Sequence, residues 1–385
     1  MDFTFTKEQT LIKNSVSDFF KKECPTDRVR ELKHDPKGYD PKVWKMTAEL
    51  GFTGMCIPEE FGGAEGSFLD LMIIMEEIGK YLVPGPFFST TALCALPLLE
   101  FGTSDQKKKF LPGIAEKNRI WSFALLEQAA NYEPSDVNLK ADLKDDNYVL
   151  TGKKLFVPYA NVADWFIVFG RTKPSEKGEI GITAFIIDAK TNGIEVEVIP
   201  TTARDMKCEV VFNEVSVSEA NILGALGRGW EIVEFVLEKA AILKSAEMLG
   251  GVQAVFEMTL SYVKERVQFG KTIGSFQAVQ HKLVDMSTEI DSLRFLVYEA
   301  GWKIANKIPC RQLCSIVKAK ANEAYHRVCV DGAYLHGASG FTEEMDIGLY
   351  YIRSKAHEFD LGGTTFHRDR IGDELEKHVP AFLTL

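Results

Sequence analysis

The hydrophobic period of this chain changes twice, and those changes limit its folds more than any other feature. Up to about residue 118, apolar residues recur every three to four positions over Phe5 to Cys24, Pro41 to Leu50, Ser67 to Tyr81 and Phe88 to Phe101, which predicts helices. From Arg119 short β-branched and aromatic runs take over: Tyr148 to Thr151, Trp165 to Phe169, Ile182 to Ile187, Ile194 to Ile199 and Glu209 to Phe212. Asp-Asp-Asn, Lys-Pro-Ser-Glu-Lys-Gly and Thr-Asn-Gly turns separate them, as strand connections do. After Gly224-Ala-Leu-Gly-Arg-Gly229 the helical period returns over Glu231 to Lys264, Phe276 to Ile308, Arg311 to His336 and Asp346 to His357. The order α, β, α predicts an α+β protein. Its parts are an N-terminal helical domain (1–118), a middle antiparallel β domain (119–228) and a C-terminal four-helix bundle (229–385).

The glycines at 224, 227 and 229 do not make a dinucleotide fingerprint, because that motif must follow a strand inside a βαβ unit and no parallel crossover pattern surrounds them. They read instead as a flexible entry to the bundle. A formal charge of -10 opposes binding to a phosphate backbone, so no nucleic acid partner is expected. No apolar run approaches the ~20 residues of a membrane span, and the start MDFTFTKEQT lacks the basic and apolar regions of a signal peptide. A cytoplasmic location is expected. The seven cysteines are scattered, which suits free thiols in a reducing compartment. Cys310 and Cys314 are four residues apart but lack a second close pair or a nearby His, so no metal site is expected.

Three segments carry a resemblance. Ile57-Pro-Glu-Glu-Phe-Gly-Gly63 is followed by Glu76-Glu77-Ile-Gly; Arg266-Val-Gln-Phe-Gly-Lys-Thr-Ile-Gly-Ser-Phe-Gln277 is followed by Gln280-His-Lys-Leu-Val-Asp-Met286; and Leu335-His-Gly-Ala-Ser-Gly-Phe-Thr342 stands before Glu344 and Arg353. In this order they resemble the acyl-CoA dehydrogenase family over essentially the whole chain. The resemblance implies FAD as cofactor, a tetramer built as a dimer of dimers, an acyl-CoA substrate, and an electron-transfer flavoprotein that receives the electrons. It assigns Arg266, Phe269, Phe276 and Gln277 to a neighbouring subunit's FAD; a guanidinium meets a pyrophosphate with a fixed fork of donors. Phe123, Leu125, Leu126, Phe156, Val157 and Pro158 fall on the segments that hold the flavin ring, and Gly337 and Thr364 on further cofactor positions. Leu126 and Pro158 replace the family's usual hydroxyls, Phe156 its usual Trp, and Pro158 brings no backbone donor. Ser135-Asp136 ends a turn three residues longer than the family's.

The reaction implied removes an α-proton with a carboxylate while a β-hydride passes to flavin N5, so a base must reach the α-carbon. The family places that Glu at one of two positions, which here are Gly362 and Ala240. Pro84 to Pro97, where some members that oxidise alicyclic thioesters carry a base, contains no Asp or Glu; Thr91 is its nearest polar candidate. Ala240, Lys244 and Glu247 share one helical stripe, which makes Glu247 the candidate for a relocated base or for recognition of a polar tail, beside Lys244. Asp360 and Glu358 lie nearer Gly362 in sequence. The N–H of Gly362 is expected to polarise the thioester carbonyl. Thr91, Ser135, Lys244, Gly362 and Gly363 are the expected substrate contacts. Three readings stay open: an active flavoenzyme on a cyclic, branched or aromatic-pathway thioester, as a homotetramer; a non-catalytic subunit of a mixed tetramer with a Glu-bearing paralogue; or a non-redox use of the fold, such as a lyase or isomerase.

Overall fold

The computed structural model describes residues 4–173 and 178–378; the first residues of the N-terminal reading and most of the Lys-Pro-Ser-Glu-Lys-Gly turn lie outside them. In chain order the elements are α1 (Lys7–Glu23), α2 (Thr26–Leu32), α3 (Pro41–Glu49), α4 (Phe68–Lys80), α5 (Leu96–Phe101) and α6 (Ser104–Ala115). There follow β1 (Trp121–Ala124), β2 (Lys140–Lys144), β3 (Asn147–Pro158), β4 (Trp165–Arg171), β5 (Ile182–Asp188), β6 (Ile194–Ile199), β7 (Lys207–Ser218) and β8 (Ile222–Leu223). The rest is α7 (Gly229–Glu265), β9 (Val267–Gln268), β10 (Lys271–Thr272), α8 (Gln277–Ala305), α9 (Arg311–His336), α10 (Ile347–Phe359) and α11 (Thr364–His378). No helix among the described residues is long and apolar enough to cross a membrane. None of the seven cysteines is joined in a disulfide.

Packing gathers these elements into two compact units. One comprises the chain up to Val29, Phe68–Val83 and the chain from Ala241; the other comprises Arg30–Ser67 and Pro84–Ala240.

The second unit is built on one twisted sheet, in the order β6-β7-β3-β2-β4-β5-β8, with β1 added alongside β4. The pairings are antiparallel as expected, except that β1 runs parallel to β4 over Trp121 to Ala124, and β2 meets β4 in parallel at one residue pair. The inward-facing residues of β2, β3, β4, β5 and β7, including Leu150, Phe166, Phe185, Val210 and Phe212, form its core, as the period of two demands. A capping box at Thr103 and Gln106 starts α6, and the Gln106 amide also donates to Ile222 O at 2.8 Å, tying that helix to β8.

Two expectations are corrected in this unit. The helix read over Phe88 to Phe101 is interrupted: Ser89–Ala95 is π-helical before α5 begins. There the Thr91 hydroxyl donates to Phe87 O at 2.7 Å, and Thr90 Oγ1 accepts Trp121 N–H at 3.1 Å. Hydroxyl bonds of this kind compete with the regular ladder. The glycine-rich entry to α7 is pinned rather than flexible: Gly227 N–H donates to Thr183 Oγ1 at 2.9 Å and Gly181 N–H to Gly227 O at 2.8 Å. A Cβ at Gly229 would stand 2.9 Å from Ala184 N, so the start of α7 lies directly on β5.

In the first unit α4 is buried on nearly all sides from Leu71 to Gly79, the pattern of an interior helix. Lys13 of α1 pairs with Glu76 at 3.1 Å, and Tyr298 of α8 donates to the other Glu76 oxygen at 2.5 Å. Gly79 of α4 and Gly250 of α7 let the two backbones touch: a Cβ at Gly79 would stand 1.7 Å from Glu247 O, and one at Gly250 1.8 Å from Glu76 O. Helix α9 packs against α8, α10 and α11. The expected helices of the bundle are all present; α11 follows them, a polar helix whose sequence carries no continuous apolar stripe.

Candidate functional site

On the sheet, the segment after β1 is fastened to β3 by a buried lysine. Lys154 is 0% exposed; its ammonium donates to Leu125 O at 2.9 Å and to Glu127 Oε1 at 2.7 Å. The same Glu127 oxygen accepts the N–H groups of Asn138 and Leu139, each at 2.9 Å, so one carboxylate closes the long turn and neutralises the lysine. Burial pulls Lys154 down to about 8 against the opposing pull of Glu127, with Arg171 lowering it further. Leu155 N–H donates to Leu126 O at 2.8 Å.

Beyond this fastening β3 breaks register with β7, between Lys154 and Val157. In that bulge Phe156 takes φ 55°, and its ring is turned outward, 38% exposed, while Val157 is buried. A bulge re-aims a side chain in this way. The Ser122 hydroxyl donates to Pro158 O, and Pro158 ends its strand, where a missing donor is tolerated. Phe123 and Leu125 are buried in the unit, Phe123 with its ring 4.9 Å from that of Phe169; toward this face they offer backbone only. Thr91 is buried with its hydroxyl on Phe87 O. Ser135 is exposed in a 3-10 turn, and the Arg171 guanidinium holds that turn by Pro134 O at 2.5 Å and Val137 O at 3.1 Å.

In the other unit a second buried lysine grips the turn between α10 and α11. Lys318, 0% exposed, donates to Asn322 Oδ1 at 2.5 Å, His357 O at 3.0 Å, Glu358 O at 3.3 Å and Gly362 O at 3.4 Å. It thereby satisfies carbonyls at the C-terminus of α10, where a cation is favoured. Burial lowers it to about 7, with Asp360 acting in the opposite direction. His367, pulled down to about 3 by burial and by Lys318, is neutral and donates through Nε2 to Leu361 O at 3.0 Å. Leu361 and Gly362 both have positive φ, 63° and 104°. Gly362 is buried, Gly363 has open space where a Cβ would stand, and Thr364 begins α11.

Lys244 and Glu247 do form the pair that their spacing suggested, Nζ to Oε2 at 2.6 Å, but it is buried and shared. Glu247 Oε1 lies 3.3 Å from His357 Nε2, and Lys244 Nζ lies 3.5 Å from Asp360 Oδ2. Asp360 therefore turns inward, toward α7. Ala240 is fully buried one helical turn before Lys244.

Arg266 to Thr272 form a two-stranded hairpin, β9 and β10, whose tip residues Phe269 and Gly270 have φ 54° and 77°, as a primed hairpin turn requires. Arg266 and Gln277 are exposed. Phe269 is 91% exposed and meets Phe276 edge-on at 6.1 Å. Gly337, exposed at φ 64°, ends α9.

Sequence reasoning missed Lys154 and Lys318 as the residues that hold these segments. The signal for Lys154 was its parity: it alternates with Leu150 and Gly152 on one face of β3. Lys318 stands in the most continuously buried stretch of α9, among Val317, Ala319 and Ala321.

The description of the acyl-CoA dehydrogenase N-terminal domain matches residues 6–118, that of the middle domain 122–215 and that of the C-terminal domain 227–376. The short-chain-specific acyl-CoA dehydrogenase of Megasphaera elsdenii is 35% identical over 368 residues, 92% of this chain and 94% of the relative. The structure of butyryl-CoA dehydrogenase from Megasphaera elsdenii superposes with a TM-score of 0.91 at 30% identity, covering 97% of this chain and all of that one, 100%. A chain of the ChsE4-ChsE5 complex from Mycobacterium tuberculosis superposes with a TM-score of 0.89 at 27% identity, covering 99% and 100%. With all three domains matched in order, the chain belongs to the acyl-CoA dehydrogenase family.

Proposed function

We propose that the protein is an FAD-dependent oxidoreductase that introduces a double bond into an acyl-CoA thioester and passes the electrons to an electron-transfer flavoprotein. The observation that carries the reading is the bulged strand end at Phe156 to Pro158, held from beneath by Lys154 and Glu127. A flat cofactor ring needs such a rigid aromatic shelf. FAD fits these residues: Phe156 presents an outward ring, Leu125 and Leu126 bring backbone beside it, and Gly337 and Thr364 are the further family positions. When bound, the cofactor supplies the hydride acceptor.

Phe269 leaves a large apolar ring in solvent beside Arg266. That composition, an arginine and aromatic rings with little side-chain burial, is what a segment donated to a neighbouring subunit requires. Arg266, Phe269, Phe276 and Gln277 would then grip a neighbour's FAD. Thr91, Ser135, Lys244, Gly362 and Gly363 are proposed to meet the thioester, with a cyclic or branched acyl group. With Gly at 362 and Ala at 240, the second reading is a non-catalytic subunit beside a Glu-bearing chain. ChsE4-ChsE5 is itself a complex of two named chains.

The test is to purify the chain alone and record its visible spectrum, then add linear and cyclic CoA thioesters. A yellow oligomer bleached by a thioester supports the enzyme; a colourless chain that turns yellow only with a Glu-bearing partner supports the second reading and sinks the first.

A further inference from the structure

We propose that Cys310 and Cys314 are a redox-active thiol pair, which a small-molecule disulfide such as oxidised glutathione converts reversibly into an intramolecular disulfide at the start of α9. This chemistry needs neither the flavin nor the thioester. The two sulfurs stand 3.7 Å apart, in contact. Cys314 N–H donates to Cys310 O at 2.9 Å, so both side chains leave the same turn of backbone.

The thiols differ in the way a stepwise exchange requires. Cys310 is partly exposed and is the N-cap residue of α9, whereas Cys314 is 1% exposed. An incoming disulfide meets Cys310 first, and Cys314 stands behind it. Attack requires a thiolate, which the N-terminus of a helix favours, and no acidic residue stands in the first turn of α9 to oppose it. The other cysteines are arranged differently. Cys24, Cys94, Cys208 and Cys329 are buried, and burial pushes the thiols of Cys94, Cys208 and Cys329 up, away from the reactive thiolate form. Cys56 is partly exposed, but its sulfur donates to Ser67 O at 3.5 Å, in the other compact unit.

On a regular helix, Cβ atoms one turn apart stand about 5–6 Å apart, beyond the roughly 3.5–4.5 Å that a disulfide spans. Cys310 is not bound by that regularity. Its φ of -149° and ψ of 27° lie outside the helix, and Ile308 and Pro309 precede it in a connection without regular structure. Adjustment there closes the gap, and the strain that remains makes the bond easy to reduce. The pair therefore suits a reversible switch rather than a permanent staple, as disulfides in a reducing compartment do. Cys310, Cys314, Lys318 and Asn322 recur at every fourth position, so the pair stands at the foot of the stripe that grips the α10–α11 turn.

In the first step the Cys310 thiolate attacks one sulfur of oxidised glutathione. The S–S bond of the reagent breaks, a bond from Cys310 to glutathione forms, and one glutathione leaves and takes up a proton. In the second step the Cys314 thiol gives its proton to water and its sulfur attacks that of Cys310. The Cys310–Cys314 bond forms, and the second glutathione leaves and is protonated. The pair loses two electrons and two protons, and the reagent gains them.

The test incubates the full chain with oxidised glutathione, blocks remaining thiols with N-ethylmaleimide in denaturant, and maps tryptic peptides by mass spectrometry. Arg311 lies between the two cysteines, so trypsin places them on separate peptides, 308–311 and 312–318. These are expected joined as one species, lighter than their sum by two hydrogens and separated again by dithiothreitol. Cys314→Ser is expected to stop at the glutathione adduct on Cys310. Cys310→Ser should leave Cys314 with neither glutathione nor a cross-link, and melting temperatures taken alongside show whether both variants are folded. The wild-type map decides the matter without them: if both thiols take up maleimide, or if Cys310 keeps its glutathione while Cys314 stays reduced, the assignment is overturned.

Discussion

The ring of Phe366 stands where a side chain at Gly362 would begin: a Cβ built there would lie 2.2 Å from Phe366 Cδ1. The backbone of Gly362 adds a second barrier, because φ 104° is a conformation side-chain-bearing residues rarely adopt. The missing carboxylate is thus excluded by the packing around the turn as well as by the sequence. Gly362→Glu is expected to cost about 1–3 kcal/mol and to give no gain in thioester oxidation. Adding Phe366→Ala should return part of the stability, since it removes the clash and leaves the backbone strain. Thermal melts of the single and double variants check this, and a fully stable Gly362→Glu would refute it.

Lys154 is needed by its partner as much as by the strand. Lys154→Met leaves Glu127 with two backbone N–H donors and only Arg171, which is not hydrogen-bonded to it, as a nearby cation, and it frees Leu125 O. Breaking such a buried pair from one side costs about 3 kcal/mol. The bulge at Phe156 should loosen with it, so FAD retention on gel filtration should fall before the fold is lost. Lys154→Met combined with Glu127→Gln should be less damaging than the sum of the two single changes, because both belong to one network.

Lys318 gives stability a pH dependence. Its folded value near 7 lies below the ordinary 10.5, so between those limits the unfolded chain binds a proton that the folded chain does not. Stability from this group therefore rises with pH across that window, and the full cost of the buried ammonium is present below about pH 7. The effect is on the order of several kcal/mol, reduced to the extent that the four oxygen acceptors favour the charged form. Melting temperatures from pH 6 to 9 should show a positive slope that Lys318→Met flattens. An unchanged slope in the variant would assign the dependence to another group.

Where α4 crosses α7, Gly79 leaves no room even for a methyl group. Gly79→Ala must push the helices apart or shift one along the other, at about 3 kcal/mol. Gly363→Ala, with nothing within 4 Å of the added carbon, is the control and should leave the melting temperature within a degree or two. Chemical denaturation of the two variants separates crowding from a general effect of losing glycine.

Particular elements show how much was readable in advance. The period of the apolar residues placed α9 at Arg311 to His336, the bounds it has in the structure. The apolar period gave no sign of helix α11 because its sequence is polar on most sides. The π-helical turn at Ser89–Ala95 left no mark in the period, since hydroxyl bonds at Thr90 and Thr91, formed by folding, accompany it.

The sequence by itself determined the order of helices and strands, the family, and the absence of a Glu at positions 362 and 240, because these depend on residue type and spacing along the chain. Tertiary structure alone decided that Lys154 and Lys318 are buried clamps, that Glu247 is closed off by His357 from another helix, and that Asp360 turns toward α7. Each is a consequence of burial and of partners distant in sequence. The charge and reach of a carboxylate or an ammonium are set by the groups that folding brings against it, and a linear pattern contains none of those distances.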